Sequence, residues 1–114
     1  MLNALAAILE VGGHESLTAR TNDEAISLLC AQPIDLLIQD IGRPGMNGWQ
    51  FCQLMKADSR MRNVPILITS GYPSPTDPEK LALISGYITL PFDMEEFLAT
   101  VERVLSKKSY VAVQ

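Results

Sequence analysis

Apolar positions along this chain follow two rhythms, and the alternation between them predicts the elements. Leu2, Leu5, Ile8 and Leu9 recur at helical spacing through an alanine-rich segment that Gly12 and Gly13 bring to an end. His14 to Arg20 is a weakly patterned strand with Leu17 and Ala19 on one side. Thr21 or Asn22 caps a helix whose Ala25, Ile26, Leu28 and Leu29 face inward, and that helix ends by Pro33. Ile34, Leu36, Leu37 and Ile38 form a short apolar run without a helical stripe, which predicts a buried strand ending at Asp40.

Gly42, Pro44, Gly45, Asn47 and Gly48 then supply a turn, and Trp49, Cys52, Leu54 and Met55 mark a helix with an inward stripe reaching about Ala57. Asp58 to Asn63 reads as a charged surface loop. Val64 to Thr69 is a second buried strand, with Pro65 tolerated at its start, closed by Ser70, Gly71 and Tyr72. The proline-rich stretch from Pro73 to Pro78 is a long loop, and Asp77 with Pro78 opens a short helix through Ile84. Gly86 to Leu90 is a short strand stopped by Pro91. Asp93 with Glu96 makes a capping-box-like start to the last helix, whose Met94, Phe97, Leu98, Val101, Val104 and Leu105 form a sustained apolar face. Lys107 and Lys108 complement its carboxyl end, and Tyr110 to Val113 has the composition of a strand.

Strands alternating with helices predict an α/β domain with a parallel sheet and helices on both faces. At 114 residues there is room for one core, read as a domain over residues 1–108 with a strand-like tail at 109–114. The net charge of -4 offers no basic surface for a phosphate backbone, so nucleic acid binding is excluded as an expectation. No apolar run reaches membrane-spanning length and the start lacks the pattern of a signal peptide, which points to a cytoplasmic protein with no membrane partner. Cys30 and Cys52 lack C-x-x-C spacing and His14 is the only histidine, which leaves no zinc set and suggests two reduced, partly buried thiols.

Candidate chemistry gathers at Asp40. It stands where a buried strand opens into a glycine-rich turn, and in open α/β sheets the ligand crevice lies at the carboxyl ends of the strands. Read in isolation, an aspartate there does as much by capping a turn as by reacting. The wider stretch, strand then Asp40 then Pro44-Gly45-Met46-Asn47-Gly48 opening a helix, resembles the phosphoacceptor segment of response regulator receiver domains. Pro44, Met46 and Gly48 match the pattern of that family, while Arg43 stands where a methionine is usual. Ser70 matches the hydroxyl that hydrogen-bonds the phosphoryl group, Tyr87 the switch aromatic, and Leu90-Pro91-Phe92 the family's Lys-Pro-Phe. Outside the resemblance, Ser70 equally closes a turn and Tyr87 equally packs a strand.

The resemblance implies a flavodoxin-like, doubly wound sheet in the order 2-1-3-4-5, with Asp40 as acceptor in a two-component phosphorelay. It also implies Mg²⁺ held by an acidic pair on the family's first strand, by Asp40, and by a backbone carbonyl at Gly42. Metal and lysine together neutralise the charge that accumulates as a phosphoryl group approaches a carboxylate. Here the chain begins after the family's first strand, the acidic pair is not found, and Leu90 occupies the lysine position, so Mg²⁺ at Asp40 and Gly42 is in doubt. The absent strand is central, so something should fill its slot. The tail from Tyr110 to Val113 is the candidate, either within one chain or between two chains as a swapped homodimer, the alternative being a frayed tail.

Two functions follow. One is a receiver in which Asp40 takes a phosphoryl group from a histidine kinase or phosphotransfer protein and Ser70 and Tyr87 relay the change. The alternative is a degenerate pseudo-receiver that binds partners or dimerises without phosphorylation. An independent enzyme is not expected, because no G-x-G-x-x-G, P-loop or G-x-S-x-G is present.

Overall fold

The computed structural model describes residues 2–42, 47–105 and 109–114. The turn residues Pro44, Gly45 and Met46, and the two lysines Lys107 and Lys108, lie outside them. The elements in chain order are α1 (Leu2–Val11), β1 (Glu15–Thr18), α2 (Asn22–Ala31), β2 (Leu36–Ile41), α3 (Gly48–Ala57), β3 (Ile66–Ser70), α4 (Pro78–Leu81), β4 (Gly86–Thr89), α5 (Met94–Val104) and β5 (Tyr110–Val113).

All strand pairings are parallel, and the sheet order is β1-β5-β2-β3-β4. The tail therefore fills the central slot from within the same chain. Glu15 to Thr18 pair with Tyr110 to Val113 on one side of it, and Leu36 to Ile38 pair with Val111 to Val113 on the other. With β5 standing in for the family's first strand, this is the flavodoxin-like order expected from the resemblance. β1 meets the sheet only through β5 among the described pairings.

Strand alternation divides the core into two layers. Leu37, Ile66, Ile68 and Ala112 face the side packed by Ala25, Leu29, Phe51, Cys52 and Met55 of α2 and α3. Leu36, Ile38, Leu67, Ile88, Val111 and Val113 face Leu5 and Leu9 of α1 and Phe97 and Val101 of α5. Strands covered on both faces need apolar residues at successive positions, and β2, β3 and β5 have them.

Several helix starts are built as the composition predicts. The side chains of Thr21, Asn47, Asp77 and Asp93 accept hydrogen bonds from the first-turn N–H groups of Glu24, Gln50, Glu79 and Glu96. Thr21, and not Asn22, is the cap of α2. α4 is shorter than expected: it stops at Leu81 with Ala82 as its C-cap, because Leu83 and Ile84 make only turn hydrogen bonds, to Lys80 and Leu81, before β4. Leu54 and Met94, expected on apolar faces, are exposed at the edge of each stripe. Met61, within the segment read as a surface loop, is fully buried against the α2 and α3 layer. Of the two thiols expected to be partly buried, Cys52 is fully buried and Cys30 is exposed.

Candidate functional site

Asp40 sits one residue before the end of β2 and is 9% exposed. Its main chain is held on both sides. The N–H of Asp40 donates to the carbonyl of Gln114 at 2.8 Å, and its own carbonyl accepts from Nε2 of Gln39 at 3.1 Å. The N–H of Gln114 in turn donates to the carbonyl of Ile38, so Gln114 lies opposite Gln39 in the ladder. Beyond Gln114, its side-chain Nε2 donates to Oδ1 of Asn22 at 2.7 Å, tying the site to the start of α2.

Gly42 follows with φ of +105°, a conformation that favours glycine. Gly48 opens α3 against β2. A Cβ on Gly48 would press on Cδ1 of Ile41 and lie 3.3 Å from the side chain of Gln39, so a larger residue there would have to displace the Ile41 side chain. The helix thus starts pressed against the residues on either side of Asp40.

From β3, Thr69 is the register partner of Asp40 and Ser70 that of Ile41. Ser70 is fully buried, and its Oγ accepts the N–H of Tyr72 at 3.0 Å. Tyr87 on β4 donates its hydroxyl to the carbonyls of Tyr72 at 2.8 Å and Pro73 at 3.2 Å. Ser70 and Tyr87 therefore converge on one residue, Tyr72, Ser70 at its N–H and Tyr87 at its carbonyl. Leu90 follows β4, its N–H donating to the carbonyl of Ser70 at 2.7 Å, and the Leu90–Pro91 bond is cis.

Of the residues anticipated for chemistry, Asp40, Gly42 and Ser70 lie at the carboxyl ends of β2 and β3, while Tyr87 is the second residue of β4 and reaches that edge through its hydroxyl bonds to Tyr72 and Pro73. Sequence reasoning did not anticipate Gln39, Thr69 and Gln114. Each is fully buried, and Oε1 of both glutamines and Oγ1 of Thr69 have no hydrogen-bond partner among the described residues. Three polar residues closing otherwise apolar strands were the available signal.

The receiver-family model, described as the response regulator receiver domain, matches residues 1–102. This chain belongs to the response regulator receiver family. Its relatives include the heme response regulator HssR of Staphylococcus aureus strain Newman, 30% identical over 110 residues, 94% of this chain and 47% of that protein. The HssR of Staphylococcus haemolyticus is 29% identical over the same lengths. The receiver therefore spans about half the length of these curated relatives. Among solved structures, the chemotaxis protein CheY4 of Vibrio cholerae aligns with a TM-score of 0.80 at 28% identity, over 90% of this chain and 88% of that one. The N-terminal domain of a response regulator receiver protein from Methanoculleus marisnigri aligns with a TM-score of 0.69 at 29% identity, over 94% and 89%. Membership places the chain in two-component phosphorelay signalling, whose receivers generally meet histidine kinases or phosphotransfer proteins. No described helix is long and apolar enough to cross a membrane.

Receivers commonly bind Mg²⁺ at the phosphorylation site. Magnesium requires several oxygen ligands, usually more than one of them anionic. Among the described residues, no group of three or more His, Cys, Asp or Glu side chains could hold a metal ion. The positions flanking Asp40 in the ladder are the neutral Gln39, Thr69 and Gln114. These residues do not make up a magnesium cradle.

Proposed function

We propose that Asp40 is the phosphoacceptor of this receiver, and that a histidine kinase or phosphotransfer protein is the donor. The observation that supports the reading is that Asp40 and Ser70 lie at the carboxyl ends of adjacent strands, with the Tyr87 hydroxyl bonded just beyond Ser70. In the transfer, a carboxylate oxygen of Asp40 bonds to phosphorus as the bond from phosphorus to the donor imidazole nitrogen breaks. The imidazole keeps the electron pair and takes up a proton. The buried main chain of Asp40, fixed at N–H and carbonyl, holds the carboxylate in place for in-line attack.

The relay runs through Tyr72. A phosphoryl oxygen on Asp40 is a stronger acceptor and partner for the Ser70 hydroxyl than the N–H it now receives. When Ser70 turns to it, the N–H of Tyr72 loses its acceptor, and the adjoining carbonyls of Tyr72 and Pro73, which hold the Tyr87 hydroxyl, are free to shift. No independent metabolic reaction is assigned to this edge.

Intact mass after incubation with acetyl phosphate, with and without Mg²⁺, tests the reading against Asp40→Asn. A phosphoryl adduct on the wild type that is lost in the variant is expected. Its absence from the wild type under both conditions refutes the assignment of Asp40.

A further inference from the structure

We propose that the slot between β1 and β2 is a strand-binding site that a second copy of this chain can fill, so that the acceptor of one copy is completed by β5 of the other. The inference rests on the Asp40 assignment for its consequence, but not for the exchange itself.

The slot is specific for one segment. Val111, Ala112 and Val113 are fully buried in it, with Val111 and Val113 entering the α1 and α5 layer and Ala112 the α2 and α3 layer. Polar contacts fix the register at both ends. On entry, the N–H of Ser109 donates to Nδ1 of the buried His14, the carbonyl of Ser109 accepts from Glu15, and Tyr110 exchanges hydrogen bonds with Asp35 through its N–H and carbonyl. On exit, Gln114 bonds Ile38, Asp40 and Asn22. A one-residue slip would bring the valines to the wrong face and break every one of these contacts.

The segment is also exchangeable. β5 comes after every element it touches, so it leaves the slot without unthreading any of them. Five residues, 105–109, join it to α5. Every partner of β5 belongs to this same chain, so a second copy offers identical contacts, which is the condition for swapping. The exchanged copy then supplies the Gln114 carbonyl to the other copy's Asp40 N–H, and the site is incomplete without it.

The test uses full-length chains carrying Cys30→Ser. Ser16 and Val111 are register partners on adjacent parallel strands, whose spacing of about 4.8 Å falls within the Cα range of a disulfide. One chain carries Ser16→Cys and the other Val111→Cys. Unfolded together at high concentration, refolded and mildly oxidised, they should give a species of doubled mass that reduction abolishes. The species should be absent when the two are folded apart before mixing. No doubled species after joint refolding overturns the exchange. A chain carrying both cysteines, which should close internally on dilution, shows that the pair can bridge. A second mixture joins Asp40→Asn, which has an intact strand but no acceptor, to Ala112→Asp, which has an acceptor but a spoiled strand. An acetyl phosphate adduct on the Ala112→Asp chain in this mixture alone is expected. If the wild type itself takes no adduct, the Asp40 assignment fails, and the disulfide result still decides the exchange.

Discussion

The N–H of Asp40 and the carbonyl of Gln114 are joined by a 2.8 Å hydrogen bond, which ties Asp40 to the residue that follows β5. The same strand supplies the central ladder and the only pairing of β1 among the described residues. Stability and site geometry are therefore properties of one four-residue strand, Tyr110 to Val113, and the residue after it.

Ala112→Asp places an uncompensated carboxylate in the middle of that strand, where the position is fully buried. It is expected to lower the free energy of unfolding by about 3–5 kcal/mol, the scale of an unpaired buried charge. Tyr110→Ala, at the exposed start of the strand, should change stability by less than about 1 kcal/mol. Urea denaturation of the two variants beside the wild type checks both, and equal losses would mean that the strand is not held by its buried residues.

The two thiols should behave differently. Burial pushes the Cys52 thiol up to about 12, only partly offset by the nearby Lys56 ammonium, and its side chain is fully buried. Cys30 lies on the exposed face of α2. At neutral pH a soluble thiol reagent should modify Cys30 and leave Cys52 until the protein is unfolded, because the thiolate is the reactive form. Cys30→Ser should remove the fast reaction entirely. A rapid second modification in the native protein would show that the α3 layer opens.

Periodicity placed the elements because most of the fold is amphipathic at one period or the other. The stripe of α5 and the apolar runs of β2 and β3 left little choice. Met61 was not legible, since its neighbours Arg60 and Arg62 give the segment the look of a surface turn, while Lys56 holds that turn inward through bonds to the carbonyls of Arg62 and Val64. The length of α4 was not legible either, because Leu83 and Ile84 continue an apolar pattern although the chain has already left the helix to pack as a turn. At the candidate site, Asp40, Ser70 and Tyr87 are singled out by motif spacing. Gln39 and Gln114 could not, because their roles are main-chain and cross-strand contacts that only the register of β2 and β5 creates.

The turn after α3 carries its own titration. Both guanidinium bonds from Arg60, at 3.1 and 2.8 Å, and the Arg60 backbone N–H at 2.8 Å hold the Asp58 carboxyl down at about 2. A carboxyl depressed in the folded state contributes stability that is present above its unfolded value of 3.8 and is lost as pH falls toward about 2. Arg60→Gln removes the guanidinium bonds and keeps the backbone one. The midpoint of Asp58, followed by carboxyl NMR chemical shift, should therefore rise while staying below the ordinary carboxylate value. An unmoved midpoint would assign the whole depression to the backbone N–H.

The receiver resemblance places Leu90 where the family usually carries a lysine. Its N–H is bonded to the carbonyl of Ser70, so the chain leaving β4 is fixed beside the strand that carries the site hydroxyl, and its side chain is half-buried. A lysine at this position would bring an ammonium on a flexible four-carbon stem toward the carboxyl edge. The anionic carboxylate and the anionic donor repel each other as they approach, and a fixed cation offsets part of that repulsion in the transition state. Leu90→Lys is therefore expected to raise the rate of Asp40 phosphorylation by acetyl phosphate by about tenfold or more, on the scale of a single preorganised electrostatic contact. Leu90→Met, which keeps the size without the charge, should leave the rate unchanged. Equal rates for leucine, methionine and lysine would mean that the end of β4 lies beyond reach of the acceptor, and that charge at this edge must come from another part of the chain.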